Sequence, residues 1–326
     1  MLKPRLLLPT LAALLVPGLF AADPALLRLV MPDAKVIAGL KVDRTRDSLF
    51  GQFVLSHMQI SDESFKKLIA DTGFDPRRDL TEVMIASNWE SSSPQSRWLV
   101  MAKGTFDLQK IQRTALSNGA AATNFQGAAI YSFSGNTGPG SDNAISFLDA
   151  SSAVLGDMTS VQAALTRRST SAPAPGDLVK KVGDLSAKND FWFVTLVPLS
   201  QFSSAMPSPN LSGAMQGNLL NGINQASGGI RFGDTVTISA EAITRSDKDA
   251  QALVDVVKFL VNMLQLNRQD NAVAGQVSNL LDGLDTKTTG NVMSMSLAIR
   301  EQQLEQLFQN LQRPNPAARK APAQVN

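Results

Sequence analysis

Three short motifs contain the residue types that an acyl-transfer enzyme needs. The string SFKK at 64–67 places Ser64 and Lys67 three residues apart, which on a helix puts both side chains on one face. The strings SDN at 141–143 and KTTG at 287–290 follow later in the chain. A serine hydroxyl beside an amine base is an activated nucleophile. The candidate catalytic residues are Ser64, Lys67, Ser141, Asn143 and Lys287.

In this order the motifs resemble those of the serine β-lactamases and penicillin-binding proteins. The resemblance implies that Ser64 is acylated, that Lys67 helps to deprotonate it, and that the later motifs bind and orient the substrate. The chain departs from the family pattern at Thr289, which is inserted within K-T-G, and at Ser64, which follows a predicted helix start instead of opening the helix. Residues 120–156 are predicted as strands, where that family is mostly helical. A serine-acylating envelope hydrolase is therefore the alternative function.

Other site chemistries lack the residues that they require. Cysteine is absent from the 326 residues, and His57 is the single histidine. Zinc sites use mainly cysteine and histidine, and the G-x-S-x-G elbow of a hydrolase triad does not occur. The loop 135–143 carries oxygen donors at Asn136, Asp142 and Asn143, but not at EF-hand spacing. We expect no metal site and no cofactor, and a non-enzymatic function is favoured.

The N-terminal residues have the order of a secretory signal peptide. Lys3 and Arg5 precede an apolar stretch over 6–19, and Ala21 and Ala22 follow it. These 14 residues are too few for a comfortable membrane span. Lipidation at the cleavage site would need a cysteine. We expect a periplasmic or secreted protein without a lipid anchor and with no transmembrane span after leader removal; a retained N-terminal anchor is the alternative.

The charge of the chain argues against one class of partner. The formal net charge is +2, and removal of a leader that contains Lys3 and Arg5 makes the mature chain formally neutral. The rest of the chain has no run of basic residues interleaved with aromatics. Because neutralisation of phosphates dominates nucleic-acid affinity, we expect no nucleic-acid partner.

Two segments rich in proline, serine and alanine interrupt the periodic apolar pattern. We interpret 169–176 as a linker and 313–326 as a disordered tail. With 1–22 as the signal peptide, they leave two parts of similar length, 23–168 and 177–312.

The two parts share an order of predicted elements. Apolar and polar residues alternate in 235–243 (TVTISAEAI) and 292–299 (VMSMSLAI), as is typical of antiparallel strands with one wet face. Amphipathic helices are predicted over 106–117, 157–166, 247–266 and from 301, with helix N-caps at Thr105, Asp157 and Ser246. We predict an α+β fold of two similar halves, each an antiparallel sheet with helices on one face, built from repeated ββα units.

Four residues outside the catalytic motifs are candidates for binding. Arg77 and Arg78 follow a predicted cap at Asp75 and open a short helix, where an anion can bind. Their string GFDPRRDLTEV resembles segments of uncharacterised exported bacterial proteins of unknown function, which implies no activity. Trp89 and Trp98 flank a polar loop. Either they bind a sugar or a protein partner there, or they pack against each other across the strands.

The predicted helix 247–266 has apolar residues beyond one stripe. Val256, Phe259 and Met263 lie off its main apolar face. The favoured interpretation places this helix centrally between the two halves, and the alternative is an apolar groove for a lipid or a peptide. The sequence therefore favours a non-enzymatic binding or interaction protein, whose partner is an envelope protein, a peptide or an apolar ligand. A structural envelope component without a ligand is a further alternative.

Overall fold

A twelve-stranded antiparallel sheet organises the computed structural model, which describes residues 21–57, 63–89, 97–134, 142–170, 176–201, 218–266 and 272–312. In chain order the strands are β1 (Val36–Lys41), β2 (Leu80–Ser87), β3 (Trp98–Gly104), β4 (Ala121–Phe125), β5 (Ala128–Ser134), β6 (Asp142–Asp149), β7 (Ser152–Asp157), β8 (Phe191–Thr195), β9 (Ile223–Arg231), β10 (Thr235–Thr244), β11 (Asp285–Thr289) and β12 (Val292–Arg300). Across the sheet they lie in the order β11-β12-β10-β9-β8-β1-β2-β3-β7-β6-β5-β4.

Helices connect these strands and cover parts of the sheet. Those in the described residues are Pro24–Leu27, Val42–Arg46, Leu49–His57, Glu63–Thr72, Pro76–Asp79, Leu108–Ser117, Met158–Thr170, Gly176–Lys188, Asn218–Asn221, Asp247–Leu266, Ala272–Leu281 and Glu301–Gln312. Within the described part of the chain, none of them has both the length and the apolar composition needed to cross a membrane. The fold is therefore a mixed α and β structure around one antiparallel sheet.

The strands of both predicted parts join in this one sheet, whereas the sequence suggested a sheet for each part. The junction is the antiparallel pair β1–β8, in which Val36 lies opposite Thr195 and Leu40 lies opposite Phe191. The linker prediction is only partly described: Ser169 and Thr170 end a helix, Gly176 begins the next, and 171–175 lie outside the described residues.

Helices lie on both faces of the sheet, which differs from the predicted one-face arrangement. Face A contains Ile37 and Trp192, and its core is covered by the segment 22–34 and by helices Met158–Thr170 and Gly176–Lys188. Face B contains Phe193, and it is covered by other helices, including Asp247–Leu266 and Glu301–Gln312. Strand β3 has an unbroken apolar run, WLVMA, in which Leu99 and Met101 are buried on face A, whereas Trp98, Val100 and Ala102 are half-buried.

The boundaries predicted from periodicity agree with the structure for the most regular elements. The alternating strings correspond to β10 and β12, and the long predicted helix is Asp247–Leu266. The side chains of Asp157 and Ser246 accept hydrogen bonds from helix N–H groups, as predicted. Thr105 is not the cap of its helix, however.

The cap of helix Leu108–Ser117 is Asp107, whose carboxylate accepts a hydrogen bond from the Lys110 N–H at 3.0 Å. Thr105 instead donates its backbone N–H to the Asp79 carbonyl, so it belongs to the connection that precedes the helix. Residues 1–20 of the predicted leader 1–22 and the predicted tail 313–326 lie outside the described residues.

Close packing at the junction predicts the effect of a glycine substitution. A Cβ atom at Gly39 would lie 2.3 Å from the ring of Trp192, a fully buried side chain. Gly39→Ala is therefore expected to reduce the free energy of unfolding by about 1–3 kcal/mol, measured by chemical denaturation.

The matched control is Gly183→Ala in helix Gly176–Lys188, where an added Cβ meets nothing within 4 Å. This change should stabilise the protein by about 0.5–1 kcal/mol, because glycine disfavours a helix interior. A Gly39→Ala protein as stable as the parent would contradict the packing at the junction.

Candidate functional site

Two residues of the proposed serine-acylating site, Asn143 and Lys287, lie far apart. Asn143 lies on β6 and Lys287 lies on β11, nine strand spacings apart in the sheet. At about 4.8 Å for each spacing, the two positions are separated by roughly 40 Å. Lys287 is exposed and pairs with Asp285 at 2.6 Å. Ser64 and Lys67 lie in helix Glu63–Thr72, Lys67 is exposed, and Ser141 lies outside the described residues.

The two adjacent arginines are each paired with a carboxylate of their own turn. Asp75 caps helix Pro76–Asp79, and it binds Arg77 at 2.8 Å. Arg78 binds Asp79 at 2.7 Å. Hydrogen bonds from these guanidinium groups lower the pKa of Asp75 and of Asp79. The turn thus neutralises its own cations, and this geometry does not favour an anion site.

The two tryptophans near the β2–β3 connection are both half-buried. Trp98 lies on β3 opposite Ser87, and its backbone N–H donates to the Asp157 carboxylate at 3.3 Å. Trp89 has a φ of 47°, and its backbone N–H donates to the Ser87 hydroxyl at 3.0 Å. The tryptophans follow the strand geometry, and residues 90–96 of the loop between them lie outside the described residues.

The long helix Asp247–Leu266 divides into a buried half and an exposed half. Ala250, Leu253 and Val254 are at most 4% exposed and pack against Ala242 and Met293 of the sheet. No residue from 255 to 266 is buried. Central burial of the whole helix, the favoured interpretation of its sequence, therefore differs from the structure.

The exposed half carries an apolar stripe. Phe259, Met263 and Leu266 are 58%, 45% and 82% exposed, and their spacing of four and three residues places them on one side of the helix. Val256 lies one turn before them and is half-buried. Large apolar side chains exposed side by side are typical of an interaction surface. We call these four residues, Val256, Phe259, Met263 and Leu266, the apolar stripe.

In the part of the chain that the structure describes, the surroundings of the apolar stripe are polar and carry a small negative charge. Helix Ala272–Leu281 packs beside the long helix, and Gln265 donates a hydrogen bond to Asp282 at 3.1 Å. The long helix contains three aspartates and two lysines, so its own formal charge is negative. A surface that attracts anionic lipid normally carries lysine and arginine on the polar side. The stripe is therefore better suited to an apolar protein or peptide surface than to an anionic membrane.

A second concave surface lies on face A and was not identified from the sequence. It is a polar trough of about 890 Å³ between helix Gly176–Lys188 and strands β9 to β12. Hydroxyl groups line its floor, at Ser227, Thr237, Ser239, Ser294 and Ser296. The polar residues that alternate with apolar ones in 235–243 indicated a polar face of the sheet. The sequence did not show which helix forms the wall of the trough.

The charges of the trough are partly paired. Lys181 binds Glu241 at 2.9 Å and Lys180 binds Asp184 at 3.1 Å. Lys188 and Arg231 are exposed, and neither has an ion pair within the described residues. The trough thus offers hydroxyl groups and two available cations.

Comparison with known proteins assigns no family to the chain. No protein-family model matches it, and no curated protein matches it. A solved structure described as crystal form I of TP0453 aligns over 89% of this chain and 98% of its own chain, with 13% identity and a TM-score of 0.48. A likeness at that level carries no argument about function, so the argument below depends on this structure alone.

Truncation of a side chain should have a large effect on stability in the buried half of the long helix and a small effect in the exposed half. Leu253→Ala should lower the free energy of unfolding by about 2–5 kcal/mol, because it removes a buried side chain from a packed cluster. Phe259→Ala should change it by less than about 0.5 kcal/mol, because that ring is mostly in water. Urea denaturation of both variants provides the measurement. Equal losses would show that the outer half is packed in solution.

Proposed function

We propose that this protein is an exported, non-enzymatic binding protein whose apolar stripe holds an apolar surface of an envelope protein or peptide. The single observation that carries the proposal is the exposure of Phe259, Met263 and Leu266 on a helix that is anchored by its buried half. A rigid base and an exposed apolar stripe are the features by which a helix docks against a partner.

Export rests on the sequence, namely the basic, apolar and small-residue order of the first twenty-two residues. The strand order gives no support to the catalytic alternative, because Asn143 and Lys287 lie nine strand spacings apart. A binding function needs no such convergence of reactive groups.

We also propose that the fold contains two similar halves that meet at β1 and β8. From this junction outwards, one side has β1, β2, β3 and the hairpin β7–β6, and the other has β8, β9, β10 and the hairpin β12–β11. Helices Leu108–Ser117 and Asp247–Leu266 follow equivalent strands and both pack on face B.

The similarity of the halves has two exceptions. The hairpin β4–β5 has no counterpart on the other side of the described sheet. Helix Met158–Thr170 lies on face A, whereas helix Glu301–Gln312, which follows the equivalent hairpin, lies on face B. Divergence after duplication would account for one side having a polar trough where the other has a packed core.

The stripe can be tested by replacing its exposed members. The triple variant F259S/M263S/L266S should keep the parent's stability and lose at least tenfold in partner affinity, since about 1.4 kcal/mol corresponds to tenfold. Native mass spectrometry of protein purified gently from its own envelope fraction measures the partner-bound fraction and the mass of the partner.

The matched control K258S/N262S changes exposed polar residues of the same helix. It should retain the bound mass. A peptide or protein mass that the triple variant lacks supports the proposal, whereas a lipid mass, or a mass retained by the triple variant, contradicts it.

A second candidate function is the binding of an acidic, hydroxyl-rich ligand in the polar trough, favoured by the available cations of Lys188 and Arg231. With dextran sulfate as the probe, K188Q/R231Q should weaken binding at low salt, measured by titration calorimetry. The control K180Q changes a lysine that is already paired with Asp184. Equal affinity in the parent and the double variant would eliminate this candidate.

A further inference from the structure

The boundary between the predicted leader and the fold is sharp. Ala21 is exposed, whereas Ala22 is 1% exposed and belongs to the face A core. The Ala22 N–H donates a hydrogen bond to the Ser186 hydroxyl at 2.8 Å, and Ser186 is fully buried. Among the described residues, packing in the core therefore begins at Ala22, one of the two small residues that end the predicted leader.

Beside Ala22 lies a row of charged residues on face A. Lys41, Glu82 and Lys103 are direct cross-strand neighbours on β1, β2 and β3. The N–H of Asp23 donates to both carboxylate oxygens of Glu82, at 3.2 and 3.3 Å. The Asp23 side chain binds Lys103 at 3.0 Å. The segment that follows the leader is thus held directly over Glu82.

When Glu82 is ionised, the row has one negative charge in excess. Asp23, Glu82 and Asp190 face Lys41 and Lys103, while the neighbouring pair Asp43 and Arg44 cancels. Within the described residues, no lysine or arginine lies within 4 Å of the Glu82 carboxylate. Burial raises the pKa of Glu82 to about 7, and the charge of Asp23 adds to this effect. Burial also lowers the pKa of Lys41. A further positive charge near Glu82 would balance the excess negative charge of the row.

We propose that the mature protein begins at Ala22 and that the α-ammonium group created by leader removal is the charge partner of Glu82, which locks the N-terminal segment onto the sheet. The inference rests on the export leader proposed above and not on the partner-binding stripe. A leader peptidase hydrolyses the Ala21–Ala22 bond with one water molecule. The leader gains a carboxylate at Ala21, and the protein gains an ammonium group at Ala22.

Covalent geometry places that ammonium group close to Glu82. Successive backbone nitrogens are separated by at most about 3.7 Å, given standard bond lengths. Because the Asp23 nitrogen lies 3.2 Å from Glu82, the Ala22 nitrogen lies within about 7 Å of the carboxylate. In a buried setting this distance is screened little by salt. The Ser186 hydroxyl then accepts a hydrogen bond from one of the three ammonium N–H groups.

Four chains test the coupling: a chain that begins at Ala22, a chain that begins at Leu19, and the E82Q form of each. In the Leu19 chain an amide replaces the ammonium at Ala22, while Ala22 and Ser186 are unchanged. At pH 7 the Ala22 chain should melt about 2–4 °C above the Leu19 chain, measured by calorimetry. The difference should be less than about 1 °C between the two E82Q forms. D234N, at an exposed aspartate, is the control that should preserve the full difference.

The pH profile supplies a second readout with a definite sign. In the Leu19 chain, folded Glu82 holds its proton up to about pH 7, whereas the unfolded group loses it near 4.5. Stability of that chain should fall as the pH rises from about 4.5 to 7. The Ala22 chain should show a smaller fall there and a new loss above about pH 8, where an α-amino group loses its proton. E82Q should abolish both changes.

Either of two results overturns the proposal. One is the same melting difference with glutamate and with E82Q, which would mean that the ammonium and Glu82 do not interact. The other is an intact mass of the natural protein that begins anywhere except Ala22. Neither result bears on the apolar stripe, whose variants are measured by partner binding.

Discussion

The pairing of β1 with β8 is the interaction on which the rest of the structure depends. It joins strands that lie about 150 residues apart in the chain, and it makes one sheet from what would otherwise be two. Its fit is set by Gly39, which leaves room for the ring of Trp192 on the neighbouring strand. Trp192, Ile37 and Val194 are fully buried, so the junction is also the centre of the face A core. Both the N-terminal segment and helix Gly176–Lys188 pack against this centre.

Helices cover some parts of each face of this wide sheet and leave other parts uncovered. Both candidate surfaces result from this uneven cover. On face A the core ends where helix Gly176–Lys188 ends its contact with the sheet, and the remaining strands present Ser and Thr to the polar trough. On face B the long helix packs only its first half on β10 and β12. Its second half extends beyond the buried cluster, and three members of the apolar stripe, Phe259, Met263 and Leu266, are exposed there. The apolar residues that exceeded one stripe in the sequence are thus explained by exposure and not by burial on two sides.

Local features of the fold could be predicted from the sequence, whereas long-range ones could not. Alternation in β10 and β12 and the period of the long helix identified those elements, because each pattern depends on neighbours within one element. No local sequence pattern indicated that both parts join in one sheet. The strands β1 and β8 pair although most of the first part of the chain separates them. The same limit affected the site: Asn143 and Lys287 matched motifs by order along the chain, and only the strand order shows how far apart they lie. The sequence placed Val256, Phe259 and Met263 off the main apolar face of the helix, but the exposure of these side chains depends on where the sheet ends.

Glu82 is a half-buried acid next to a predicted cleavage site. A carboxylate in such a position normally binds a cation directly, because a charge that is removed from water without a partner is costly. Glu82 instead receives a backbone N–H of Asp23, while the lysines beside it in the row bind elsewhere, Lys103 to Asp23 and Lys41 to the carbonyl of Ser186. An uncut chain leaves this arrangement one positive charge short. In the proposal above, removal of the leader would supply that charge at Ala22, within about 7 Å of the Glu82 carboxylate.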